Sequence, residues 1–261
     1  MTKNTKTVLV TGAAGHLGQA MCRDLAQKGW HVLLNGRNEE KLESLAKAIQ
    51  TQGGSAEALP FDVTDEKAVV KASADIYAKF GQLDGLVNNA YSGKTGSVED
   101  ATKENFDDSL SMNVTSPFLL TQKLLPCFKK SPHKGGAAVV NIGSMYGIVS
   151  PDPGVYGDSG MNNPPFYGAG KGALIQLTRY LACHLAKEGI RVNCVSPGPF
   201  PPDTLKEQGL DWFIENLEKK VPLGRIGQPQ EVAGAVVFLL SHEASYITGV
   251  NLPVDGGWTA W

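Results

Sequence analysis

A chain of 261 residues is long for one ordinary domain and short for two. Its net charge of −2 offers no basic face for nucleic acid or anionic membrane, and 42% apolar residues suffice for a sizeable core. The longest apolar stretches, such as Val236 to Leu240, are too short to cross a bilayer, and MTKNTKTVLV carries no signal-peptide core. Cys22, Cys127, Cys183 and Cys194 form no C-x-x-C pair and no metal-ligand spacing. The expectation is a cytoplasmic protein with reduced thiols, no metal, no membrane and no nucleic-acid partner.

Strand and helix patterns alternate along the chain. Thr7 to Val10 reads as a strand, Thr11-Gly12 turns the chain, and Leu17, Met21 and Leu25 follow at helical spacing up to Gly29. Val32 to Leu34 is a second buried strand, and Asn38 caps a helix whose apolar face is Leu42, Leu45, Ala46 and Ile49. Ala58 to Phe61 reads as a third strand, and Val69, Ser73, Ile76 and Phe80 mark a helix closed by Gly81. Leu83 to Val87, Ala138 to Ile142 and Arg191 to Val195 give three more strands, with helices between. Such alternation implies a parallel sheet covered on both faces. With no repeat, low-complexity tract or linker, residues 1–261 read as one domain.

Thr11-Gly12-Ala13-Ala14-Gly15-His16-Leu17-Gly18 joins the first strand to the first helix. Glycines there let a phosphate approach backbone N–H groups at a helix N-terminus. The second strand ends Asn35-Gly36-Arg37-Asn38, with no carboxylate to bond a ribose 2′-hydroxyl. Arg37 instead suits a 2′-phosphate, which favours NADP(H) over NAD(H).

Downstream lies Tyr167-Gly168-Ala169-Gly170-Lys171. Tyrosine and lysine four apart share one helix face, and an ammonium there is expected to pull the phenol pKa down towards neutrality. Such a tyrosine can give or take a proton at a hydroxyl or carbonyl oxygen. Ser144, after the strand Val139-Val140-Asn141-Ile142-Gly143, can hold that oxygen and stabilise its developing charge. Tyr156 is a decoy, because the fourth residue after it is Gly160.

The glycine turn, Ser144 and the Y-x-x-x-K together resemble the short-chain dehydrogenase/reductase family, from about Thr7 to Gly257. The resemblance implies a doubly wound α/β Rossmann fold with one mostly parallel seven-stranded sheet, ending in a strand near Val254-Asp255-Gly256-Gly257. It implies a catalytic set of Asn113, which holds a relay water, Ser144, Tyr167 and Lys171, which also binds the nicotinamide ribose. It further implies cofactor contacts from Gly12, Gly15, His16, Leu17 and Gly18, with Arg37 beyond them. Asp62-Val63 would meet the adenine, Asn89-Ala90 the adenine ribose, and Pro197-Gly198-Pro199-Phe200 would turn under the nicotinamide. Members of this family are commonly homo-tetramers or homo-dimers, and the helix carrying Leu174, Leu177, Tyr180, Leu181 and Leu185 is the candidate interface.

Four features depart from the compact members of that family. The turn is T-G-x-x-G-x-x-G, as in the extended members, with His16 where compact members have a glycine. Gly15 takes the place of a basic residue found in many NADP users, and His16 is a partial substitute. Tyr91 replaces the last glycine of an N-N-A-G turn. Ser144 and Tyr167 are also 23 positions apart, wider than compact members place them. The surplus, residues 151–164, is rich in proline and glycine and is expected to be irregular and to lie over the substrate mouth. Its Asp152, Asp158, Ser159, Asn162 and Asn163 suit a polyhydroxylated or sugar-like substrate. The leading reading is therefore an NADP(H)-dependent oxidoreductase interconverting an alcohol and a ketone. The glycine spacing alone would favour a sugar-nucleotide epimerase or dehydratase. A non-catalytic cofactor-binding regulator is the third reading, and the intact serine, tyrosine and lysine weigh against it.

Overall fold

The computed structural model describes residues 5–93, 95–133, 135–159, 162–202 and 204–261. Seven strands form one sheet in the order β3-β2-β1-β4-β5-β6-β7. They are β1 (Thr7–Val10), β2 (His31–Gly36), β3 (Ser55–Pro60), β4 (Gly85–Asn88), β5 (Ala138–Ile142), β6 (Arg191–Pro197) and β7 (Asn251–Val254). Every pairing among the described residues is parallel.

The central strands are buried on both faces, so their sequences run apolar without alternation. The two-residue period still sorts the side chains. Val8, Val10, Val32, Leu34 and Val140 join one core with α1 (His16–Gln27), α2 (Glu39–Thr51) and α9 (Pro229–Leu240). Leu9, Leu33, Leu86 and Val139 join the other with α3 (Glu66–Phe80), α5 (Ser116–Phe128) and α6 (Pro165–Leu185). Asn38 caps α2 by accepting from Lys41 N at 2.9 Å, and Gly81 ends α3 in the left-handed region at φ 70°.

Two strands start two or more residues from their sequence expectation. β3 starts at Ser55 rather than Ala58, because it pairs with β2 from His31↔Ser55 and, as a sheet edge, tolerates exposed polar residues there. β4 starts at Gly85, because the buried Asp84 carboxylate turns aside to accept from Thr7 N at 2.8 Å. The order reverses beside β1, whose neighbours are β2 and β4. A crevice therefore opens at the carboxyl ends of β1 and β4, where open α/β sheets bind ligands.

Candidate active site

The glycine turn fills that crevice. Gly12 takes φ 63°, and a Cβ on it would stand 2.9 Å from Ala90 Cα. A Cβ on Gly18 would stand 2.2 Å from Gly12 O, so α1 can approach the turn only with glycine there. Thr11 Oγ1 accepts from Asn89 N and Ala90 N, each at 2.9 Å, and Asn89 Nδ2 donates back to Thr11 O and Gly12 O. The Asn89 side chain is thus spent on joining two turns. Gly15 precedes α1 without a side-chain cap, which leaves first-turn N–H groups for an anion.

Beyond the turn runs a cleft of about 520 Å³. It brings together Gly12, Gly15, His16, Leu17, Gly18, Arg37, Asp62, Val63, Asn89, Ala90 and Phe200 from the expected set. Lys41, one helical turn after Arg37, joins them. A dinucleotide fits such a cleft, with glycines and a bare helix end in its middle and two cations at one end. Asp62 is held below its ordinary pKa: burial raises it, but two bonds from Thr64 and the charge of Arg37 outweigh that. Pro197 and Gly198 are not in the lining. Pro197 is buried as the last residue of β6, and Gly198 packs where a Cβ would meet Asp255 at 2.5 Å.

The catalytic candidates stand at the other end. Ser144 follows β5 at Gly143, whose N–H donates to Val195 O at 2.7 Å, and Ser144 Oγ accepts from Tyr146 N at 3.1 Å. Asn113 lies in a widened π turn, Ser111–Thr115, between α4 (Lys103–Leu110) and α5. Its Nδ2 donates to Ser109 O at 3.0 Å, while its buried Oδ1 has no partner among the described residues, as an acceptor for a water proton would. Ser109 Oγ donates to Phe166 O at 2.7 Å, which ties α4 to the residue before Tyr167. Gly170 makes room for this: a Cβ there would stand 3.0 Å from Ser109 Oγ.

Tyr167 does not carry the lowered pKa expected from the lysine four residues on. Burial pushes the phenol up, the bond with Ser144 lowers it in part, and Tyr156 raises it again. Lys171 is itself desolvated and held down to about 8, and its Nζ donates to Ile142 O at 2.7 Å. An ammonium so buried and committed gives the phenol little help. Tyr91 stands against both: its ring meets Tyr167 edge-on at 5.1 Å, and Lys171 Nζ lies 5.6 Å from its centroid.

Residues 151–164 hold more structure than their composition suggests. Pro153–Val155 form a short 3-10 turn, and Val155 and Tyr156 are buried. They pack with Met145, Tyr146 and Trp258, and with Leu217 of α8 (Asp211–Lys220). Gly160 and Met161 lie outside the described residues. Three polar groups expected to face a substrate are bonded within the protein. Asp152 pairs with Lys220, Ser159 Oγ donates to Tyr156 O, and Asn163 Nδ2 donates to Tyr156 Oη. The Tyr156 hydroxyl lies 3.0 Å from that of Tyr146. The sequence reading missed Lys41, Tyr146 and the placement of Tyr156. Only Lys41 had a local signal, its spacing of four from Arg37.

Residues 12–259 match the family described as enoyl-(acyl carrier protein) reductase. Cyclopentanol dehydrogenase of a Comamonas species is 40% identical over 98% of both chains. Gluconate 5-dehydrogenase of Gluconobacter oxydans is 35% identical over 96% of this chain and 93% of its own. Among solved structures, the Pseudomonas aeruginosa RhlG/NADP active-site complex superposes with a TM-score of 0.87 at 31% identity, covering 97% of this chain and 96% of the other. A gluconate 5-dehydrogenase from Burkholderia cenocepacia with NADP and tartrate gives 0.86 at 29%, over 98% and 96%. The chain belongs to the short-chain dehydrogenase/reductase family, whose members are NAD(P)-dependent oxidoreductases acting on CH–OH groups.

Proposed function

We propose that this chain is an NADP(H)-dependent dehydrogenase that interconverts an alcohol and a ketone on a small polyhydroxylated or sugar-like substrate. The observation that carries the reading is the convergence of Ser144, Tyr167 and Lys171 beside a cleft lined by Arg37 and Lys41. Gluconate and cyclopentanol, named for the two relatives, are both hydroxyl compounds.

The cleft would hold a nicotinamide cofactor, which would supply or accept the hydride when bound. Arg37 and Lys41 hold the 2′-phosphate, and the first turn of α1 holds the pyrophosphate. Lys171 bonds the ribose hydroxyls. Ser144 Oγ donates to the reacting oxygen, and Tyr167 Oη gives that oxygen its proton or takes it. The raised phenol suits the giving direction, because Tyr167 stays protonated through neutral pH. Asn113 Oδ1 accepts from the water that relays protons onward. The chain works as a homo-tetramer or homo-dimer, a reading that the exposed Tyr180 on α6 and Phe118 on α5 support.

Tyr167→Phe tests the assignment. The ring still packs against Tyr91, but the transferable proton is gone. Turnover should fall by about 10²–10⁴-fold, the usual worth of a general acid–base. The affinity for NADPH, read by fluorescence titration, should stay near that of the wild type. A variant keeping a tenth of the activity would refute the proton-transfer role.

A further inference from the structure

The sequence between Ser144 and Tyr167 returns a second tyrosine to the site. Tyr146 and Tyr156 are both buried, with their hydroxyls 3.0 Å apart, and Asn163 Nδ2 donates to Tyr156 Oη at 2.9 Å. Tyr167 packs against the same cluster. Tyr146 also reaches Ser144, since its backbone N–H donates to Ser144 Oγ at 3.1 Å. The phenol pair thus belongs to the cluster against which Tyr167 packs, and the Tyr146 backbone is bonded to Ser144.

Counting protons on this pair leaves one over. A phenol has one proton to donate and oxygen lone pairs to accept with. The contact between the two hydroxyls uses one of the two protons, whichever residue donates. Asn163 supplies a proton and takes none. If Tyr146 donates to Tyr156, then Tyr156 Oη accepts twice and its own proton is free. If Tyr156 donates, the free proton belongs to Tyr146. Among the described residues no acceptor meets that second proton. A buried donor without an acceptor is costly, which favours a ligand oxygen as its partner.

We propose that the Tyr146–Tyr156 pair is a specificity-determining donor for a second oxygen of the substrate, on a carbon neighbouring the reacting one. The preferred substrate class is then a vicinal diol in one direction and an α-hydroxy ketone in the other. Asn163 is a positioning residue, which fixes the Tyr156 hydroxyl through its amide. Tyr156 rides on the inserted segment, and its ring is held by Phe213 of α8, with centroids 5.6 Å apart. The insertion therefore contributes to recognition through this one phenol, while its Asp152 is paired with Lys220.

This inference rests on the dehydrogenase reading, so its test uses matched alcohols. Cyclopentanol and cis-1,2-cyclopentanediol differ by one hydroxyl, as do cyclohexanol and cis-1,2-cyclohexanediol. Initial rates of nicotinamide reduction give kcat/KM for each, with NADP⁺ and with NAD⁺. The wild type should prefer the diol of each pair. Tyr156→Phe and Tyr146→Phe keep the packed rings, and in the variant that removes the donating phenol the diol-to-monool ratio should fall by about three- to tenfold, the worth of one neutral hydrogen bond. A wild type that prefers the monools overturns the inference. So does a ratio unchanged in both variants, including one in which diol and monool lose the same factor, because the phenols would then only pack the cluster. A wild type that reduces neither cofactor with any of the four alcohols fails earlier: it overturns the dehydrogenase reading, and this inference with it.

Discussion

The proposed preference for NADP(H) rests on Arg37 and Lys41. Arg37 follows β2, and Lys41 stands in the first turn of α2, so both cations reach one end of the cleft. The only carboxylate in that lining is Asp62, whose pKa burial raises but two bonds from Thr64, aided by the charge of Arg37, hold down. A phosphate there meets two positive groups, whereas a free 2′-hydroxyl meets none that needs it. A charge-assisted hydrogen bond is worth about 1.5–3 kcal/mol, and the exposure of both side chains places each at the lower end. About 1.5 kcal/mol is roughly a tenfold change in affinity. Arg37→Ala and Lys41→Ala should each weaken NADPH about tenfold, and the double variant up to about a hundredfold if the two act independently. NADH should be little affected by either change. Fluorescence titrations of both reduced cofactors, at fixed ionic strength, read this directly. Added salt should weaken NADPH in the wild type and less so in the double variant, because exposed charges are screened. Equal losses for the two cofactors would refute the clamp and mean that Arg37 only stacks or is structural.

Two further predictions concern the cost of the site and the state of the insertion. Burial lowers the Lys171 pKa from 10.5 to about 8, so between those values the unfolded chain binds more protons than the folded one. The penalty is full below pH 8 and is relieved as pH rises towards 10.5. Lys171→Met should therefore abolish turnover yet raise Tm at pH 7 by a few degrees, after discounting the lost bond to Ile142 O. A lower Tm by scanning fluorimetry would refute the burial cost. Val155 is 1% exposed, so Val155→Ala should cost about 2–3 kcal/mol through lost burial and a cavity. A Tm equal to that of the wild type would mean that the segment is a loose flap.

Much of this was legible in the sequence, and the reasons for the rest are physical. A strand buried on both faces announces itself by composition, as Thr7 to Val10 and Ala138 to Ile142 do. The start of β3 does not, because Ser55 and Glu57 sit on an edge strand where polar residues are tolerated. The π turn at Ser111–Thr115 is hidden inside a continuous helical pattern, since one widened turn barely changes the apolar spacing. Residue type and spacing single out Ser144, Asn113, Tyr167 and Lys171, but they do not give the electrostatics between them. Helical spacing brings Lys171 near Tyr167, yet it says nothing of the desolvation that raises one group and lowers the other.

The insertion shows most clearly where composition misleads. Proline and glycine exclude long regular elements, but they do not exclude burial. Val155 and Tyr156 lie between Tyr146 on one side and Phe213 and Leu217 of α8 on the other, and Asp152 with Lys220 ties the edge of that contact. Closing a longer loop costs little entropy, but here the loop supplies core side chains, so shortening it removes packing as well as chain. A glycine linker replacing residues 153–161 would open the cluster that backs Tyr167. Loss of activity in such a variant would then report a collapsed wall as readily as a lost substrate contact. Single phenol-to-phenylalanine changes at Tyr146 and Tyr156 keep that wall standing, and so they separate recognition from packing where a deletion cannot.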